Sequence, residues 1–174
     1  MWNFPTPLPD ELIYSTIARA GLHHGIQSPK QLLDEVFQDR KVVATLDLPS
    51  HLNAIVHLLQ RTGCFSLIDL IYQHTMFGLY APFVQECHRQ KAISLMGEQT
   101  SGSVHLMLGL NASRIPNNTK LHYCPICIQQ QREGYGEYFW NRAWFIPNLS
   151  ICLKHGCSLL SQDYIQQQHR HLFL

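Results

Sequence analysis

Two short clusters, Cys124-Pro125-Ile126-Cys127 and Cys152-Leu153-Lys154-His155, constrain this chain more than any other feature. They read C-x2-C and C-x2-H, with 24 residues between them. Each pair can grip one side of a tetrahedral ion, and the loop between them then closes on the metal. Thiolate and imidazole are donors suited to Zn2+. Pro125 and Gly156 fit tight turns beside the pairs, and such turns aim backbone N–H groups at sulfur. With Cys124, Cys127, Cys152 and His155 all supplied by the protein, the shell is closed and no position remains for an activating water. That points to one structural zinc ion and away from a metallohydrolase. The plainer alternative is buried free cysteines beside a surface histidine. A redox pair is disfavoured, because Cys124 follows no strand–helix–strand pattern. Cys157 is a replacement ligand on paper, but its two-residue offset from His155 leaves a poorer loop, so it reads as a packed or free thiol. Cys64 and Cys87 read as core residues, and His122 as a surface group.

Composition narrows the classes. The chain has 174 residues, 45% of them apolar, enough for one domain or one domain with a small satellite. Charged residues make up 14%, below the usual ~25%, which suggests surface covered by a partner. Thirteen basic and twelve acidic residues give a net charge of +1. No strong field faces nucleic acid, and only a local basic patch remains open. No apolar run reaches the ~18 residues of a membrane span. The start, Met1-Trp2-Asn3-Phe4-Pro5, has no basic stretch followed by an apolar run, so no signal peptide is expected. A reducing, cytoplasmic setting follows, in which clustered cysteines bind metal rather than form disulfides.

Ahead of the cysteines the pattern is helical. Pro5, Pro7 and Pro9 make residues 1–9 an extended arm that Phe4 and Leu8 can pin to a core. Asp10 is placed to cap a helix over 11–23, with Leu12, Ile13, Ile17 and Ala20 inward and Gly25 as its stop. Ser28-Pro29 with Gln31 opens a second helix whose inward face is Leu32, Leu33, Val36 and Phe37. Residues 42–48 are ambiguous between a strand and a crossing segment. Pro49-Ser50 opens a third helix with the stripe Leu52, Ile55, Val56 and Leu59, and Gly63 ends it. Ser66 with Asp69 starts a fourth, filled by Leu67, Ile68, Leu70 and Ile71. Pro82 lies near another start, with helices expected over about 84–96 and 104–110. The turn signal Ile115-Pro116-Asn117-Asn118-Thr119 marks a module boundary near 117. The expected fold is mainly α: a compact multi-helix region over 1–116, with a helix-turn-helix-like pair as one option, packed on a small zinc-binding module over 117–174.

Other candidates are weaker. The segment between the metal pairs carries Tyr135, Tyr138, Phe139, Trp140, Trp144 and Phe145. A helix would place Trp140 and Trp144 on one face. That face reads either as a small core packing the module on the helices or as a docking surface anchored by aromatics and Arg142. The helices at 28–37 and 50–61 are separated by more than the usual helix-turn-helix turn. Their outward His51, Asn53, His57 and Arg61, with Arg40 and Lys41 nearby, offer groups that can read bases or phosphates, or simply a solvated face. No Gly-rich phosphate loop, H-E-x-x-H or nucleophile-elbow motif is present.

Three segments together resemble the TniQ family of bacterial transposon target-selection proteins. They are Phe4-Pro5-x-Pro7 with Asp10-Glu11-Leu12-Ile13-Tyr14-Ser15-x-x-Ala18-Arg19; Leu48-Pro49-Ser50-His51-Leu52; and Tyr123-Cys124-Pro125-x-Cys127, Gly136-x-x-Phe139-Trp140-x-Arg142 and Cys152-x-x-His155-Gly156. The resemblance spans essentially the whole chain. It implies a zinc site at the cysteine–histidine cluster and a non-enzymatic role. In that role a target is marked and an AAA+ ATPase regulator is recruited, which engages the transposase and other transposition proteins. Some members bind a fixed chromosomal attachment site, and others work with an RNA-guided complex. It further implies a bacterial cytoplasmic setting, at the nucleoid during transposition. By the same likeness, Trp2, Phe4, Pro5, Tyr14 and Arg19 are candidates for partner contact, beside Trp140, Arg142 and Trp144 of the aromatic segment. Target-selecting members are longer, so the chain is expected to be an N-terminal portion or a reduced relative, with sequence-specific DNA binding resting on the longer protein.

Overall fold

The structure, a computed structural model, describes residues 3–42, 45–98, 103–110 and 120–163. Trp2, the expected boundary near 117 and the last eleven residues lie outside them. Helix α1 is Ile13–His23, α2 Pro29–Phe37, α3 Leu52–Leu59 and α4 Leu67–His74. A short α5 (Phe77–Tyr80), α6 (Glu86–Gly97) and α7 (Ser103–Met107) complete the helical region. Strand β1 (Lys120–Tyr123), α8 (Pro125–Tyr135) and β2 (Leu160–Asp163) build the module that carries the cysteines. The fold is mainly α, a multi-helix region against a small cysteine–histidine module.

Local chemistry explains most helix bounds. Ser28 accepts the Gln31 N–H, and Pro29 occupies the first turn of α2. Ser66 and Asp69 form a full capping box on α4. Gly63, at φ +63°, closes the 3₁₀ turn that follows α3. Asp10 does not cap α1. Its backbone turns left-handed at φ +57°, its carboxylate accepts from Arg142, and the helix begins at Ile13 with no side-chain cap. The segment before α6 holds α5 and a 3₁₀ turn, Ala81–Phe83, whose start Pro82 marks.

One apolar cluster runs through the molecule. Leu12, Ile13 and Ile17 of α1, Leu33 of α2, Leu52 and Ile55 of α3, Leu70 and Ile71 of α4, Phe77 and Met96 are fully buried. Leu121, Cys124, Trp140, Trp144, Phe145 and Cys152 join the same core. Three residues expected inside are outside: Ile68 faces solvent on α4, Cys64 sits in the turn after α3, and Cys87 lies in the first turn of α6. A polar first turn and a loop have no neighbouring layer to cover them. Trp140 and Trp144 are not on an α-helix. Asn141 bridges to Glu11, and a 3₁₀ turn, Arg142–Phe145, carries the second ring. The two indoles meet edge to face, 6.5 Å apart.

Candidate metal centre

Strand β1 runs into Cys124, the N-cap of α8. Pro125 takes the first helical position, so the cap geometry is preset, and the Cys127 N–H points back at Cys124 Sγ, 3.4 Å away. The second pair sits on a tight turn. Gly156 adopts φ +65° and donates its N–H to the Cys152 carbonyl, while Cys152 N–H donates to the Cys157 carbonyl at 2.8 Å. A residue with a Cβ is strained at that φ, which is why glycine follows His155. Strands β1 and β2 pair antiparallel, Tyr123 opposite Leu160. The ladder brings the second turn over the first.

The result is a compact donor set. Cys124 Sγ, Cys127 Sγ, Cys152 Sγ and a His155 ring nitrogen all lie within 4.8 Å of one another. His155 Nδ1 is 3.4, 3.3 and 3.6 Å from the three sulfurs, and Cys127 Sγ is 3.7 Å from Cys152 Sγ. Tetrahedral zinc, with bonds of ~2.3 Å to sulfur and ~2.0 Å to nitrogen, requires donor edges of about 3.8 Å (S···S) and about 3.6 Å (S···N). The set can therefore hold such an ion. Burial works to raise the Cys124 thiol, but the Cys127 N–H, then Cys157, His155 and Cys152, outweigh it and lower its pKa to about 6. Cys127 is pushed up to about 12 by burial and by its hydrogen bonds with Cys124 and Cys152. Cys157 Sγ also comes within 3.4 Å of Cys124 Sγ.

The module is locked to the N-terminal arm. Leu12 N–H donates to Trp140 O, and Arg142 N–H to Asp10 O. Glu11, with no solvent exposure, accepts from Leu8 N–H, Ser15 Oγ and Arg19 at 2.7–2.8 Å. Arg19 also donates through Nε to Glu137, which His23 reaches at 2.8 Å. Burial lifts the Glu11 carboxyl above the ordinary range against the pull of these donors, whereas Arg19, although burial opposes its charge, is held protonated by Glu137 and Glu11. Ser15 Oγ in turn accepts the Trp140 N–H. Glu11 and Ser15 stood in the N-terminal motif with no role assigned, and Glu137 was not singled out, because it lies 118 positions from Arg19.

Beside this lock lies a cavity of about 240 Å³, lined by Ala18, Arg19, Leu22, Tyr123, Tyr138 and Trp140, among others. Leu22 and Tyr138 are exposed at its rim. The candidates for partner contact divide around it. Phe4, Pro5, Tyr14, Arg19, Trp140 and Trp144 are buried in the chain's own packing. Arg142 is partly exposed and ties Asp10 to the Tyr72 carbonyl at the end of α4. Of the candidates for DNA contact, Asn53, His57 and Arg61 are exposed along α3 and the turn after it. Arg40 is exposed and paired with Asp34, and Lys41 is exposed. His51 turns inward: it is 8% exposed, lies edge-on to Phe37 and meets Ser50 Oγ through Nδ1. Among the described residues no single helix is long and apolar enough to cross a membrane.

The TniQ family model matches residues 3–159. The chain is 55% identical over 173 residues to the "Transposon Tn7 transposition protein TnsD" of Escherichia coli. The alignment covers 99% of this chain and 34% of that relative, so the chain spans about a third of its length.

Proposed function

The chain belongs to the TniQ family, and on that premise we propose that it is a target-selection adaptor in DNA transposition. In this reading it recruits an AAA+ ATPase regulator to target DNA by binding, without chemistry of its own. Zinc held by Cys124, Cys127, Cys152 and His155 stabilises the module and supplies no reaction. The observation that carries the reading is the 55% identity to a transposition protein across nearly the whole chain. Two features fit it. The donor set is closed, which suits scaffolding. The cavity between α1 and the module presents an apolar floor with a rim of Leu22 and Tyr138, the kind of concavity that takes an anchor side chain. The buried arm and indoles then serve the partner surface by holding its two walls together, while the partly exposed Arg142 ties Asp10 to α4.

The test is capture of the ATPase regulator by this chain, with and without target duplex. Capture without DNA is expected. Leu22→Asp, at a residue 68% exposed and therefore tolerant of charge, should weaken it about tenfold or more. Capture unaffected by Leu22→Asp would remove the cavity from the interface, and no capture at all would remove the adaptor role from this part of the protein.

A second reading is autonomous DNA binding. Asn53, His57 and Arg61 recur every fourth residue and are exposed, and Arg40 and Lys41 add positive charge. It predicts affinity for attachment-site duplex that falls steeply with salt and is weakened by Arg61→Ala. The absence of binding at low salt would eliminate it.

A further inference from the structure

We infer that Cys157 is a reserve metal ligand, able to take the coordination position of His155 at the cysteine–histidine centre. The inference rests on the reading that the centre holds zinc. Four donors satisfy a tetrahedral ion, yet a fifth stands at the edge of the set. Cys157 Sγ lies 3.4 Å from Cys124 Sγ, close to the spacing of two sulfurs that share one zinc. It is half-buried rather than turned to solvent. Its backbone is fixed by the same turn that carries two of the ligands: its carbonyl accepts the Cys152 N–H, and Ser158 bridges to Ile151. Only Gly156 separates Cys157 from His155, and Gly156 holds a left-handed φ of +65°, so the residue between the two donors is the one with the widest backbone freedom. The offset that makes Cys157 a poor ligand on paper is absorbed by the turn.

The exchange balances simply. The metal–nitrogen bond to His155 breaks, a metal–sulfur bond to Cys157 forms, and the Cys157 thiol proton passes to the freed imidazole or to solvent. The donor set changes from three thiolates and a neutral imidazole to four thiolates, so the centre gains one negative charge. With His155 in place, Cys157 stays a thiol hydrogen-bonded to Cys124 and orients that ligand from outside the shell.

Cobalt(II) titration of the 174-residue chain tests this, because thiolate-to-cobalt charge-transfer intensity follows the number of bound sulfurs. The wild type should bind one ion with the three-sulfur spectrum, and Cys157→Ser should do the same. His155→Ala should still bind one ion, with charge-transfer intensity raised by about a third, as four sulfurs replace three. In metal-loaded His155→Ala, Cys157 should also become protected from iodoacetamide. His155→Ala/Cys157→Ser should lose more affinity than the ~10–100-fold that a missing outer-shell partner costs. The inference is overturned if His155→Ala fails to fold or to bind cobalt, if its spectrum keeps three sulfurs, or if it is as weak as the double variant. A wild type that takes up no cobalt would instead refute the zinc reading itself and this inference with it, so the two failures are distinct.

Discussion

Glu11 and Arg19 show how a few side chains decide whether the arm stays in place. Arg19 is 7% exposed and bridges two carboxylates, one of them fully buried. Glu11→Ala would leave the Leu8 N–H without this acceptor and Arg19 with one carboxylate, Glu137, a loss expected to cost about 3–5 kcal/mol in urea unfolding. Glu11→Gln, which keeps volume and an acceptor, should cost less. The buried histidines set the pH response. Burial pulls His74 below its ordinary 6.5, against the hydrogen bond that its Nδ1–H donates to the Glu11 carbonyl. Burial likewise lowers His51, against the charge of Asp39. The unfolded chain then binds these protons more readily, so this stability is full above about pH 6.5 and is lost as pH falls through the lowered folded values. His105 acts in the opposite sense. Its hydrogen bond to Asp47 raises its pKa over the opposing effect of burial, so its contribution is full below about pH 6.5 and fades as pH rises through the folded value. Denaturation midpoints measured from acid to alkaline pH should show a shallower acid limb in His74→Asn and a shallower alkaline limb in His105→Gln.

Caps organise the elements. The Ser66–Asp69 box on α4 has both of its hydrogen bonds, 3.2 Å from Asp69 N–H to Ser66 Oγ and 2.9 Å from Ser66 N–H to the carboxylate. Ser66→Ala should destabilise the fold by about 1 kcal/mol, read from the urea midpoint. Helix α8 has a stranger cap, because its N-terminal acceptor is the Cys124 sulfur. One atom thus caps the helix and belongs to the donor set that could hold a metal. Cys124→Ser keeps an N-cap acceptor and loses a thiolate, whereas Cys124→Ala loses both. Both variants should lose cobalt charge-transfer intensity, and Cys124→Ala alone should also lose helix stability in the apo chain, by about 1 kcal/mol.

At the scale of the molecule, the cysteine–histidine module and the helices share one core. Trp140, Trp144, Phe145 and Leu121 pack in the same cluster as Leu12, Ile13 and Leu33. Structural zinc contributes roughly 10–16 kcal/mol of apparent binding free energy in small peptides, as much as the whole net stability of a typical domain. A strong chelator should therefore loosen the whole chain. Tryptophan fluorescence and far-UV helix signal are expected to change together, and separate transitions would show that the module unfolds alone. Zinc uptake should release protons and weaken as pH falls, because three thiols must ionise; Cys127, raised to about 12 in the metal-free cluster, makes that release measurable by calorimetry in two buffers.

Local spacing picked out the cysteine–histidine cluster and the helical layer, and the ordered motifs along the chain carried the resemblance to the family. C-x2-C and C-x2-H are short-range patterns, and amphipathic period marks α2, α3 and α4, with side-chain caps at α2 and α4, without reference to neighbours. Tertiary structure decided which of the named residues are exposed and which are buried. Tyr14, Arg19, Trp140 and Trp144 have the chemistry of interface anchors, but the bridge from Glu11 to Asn141 and the ion pairs from Arg19 turn them inward. Asp10 became a partner for Arg142 instead of a cap, and Cys157 came to lie against Cys124. Each of these outcomes depends on groups distant along the chain, and no local pattern encodes which distant group will arrive.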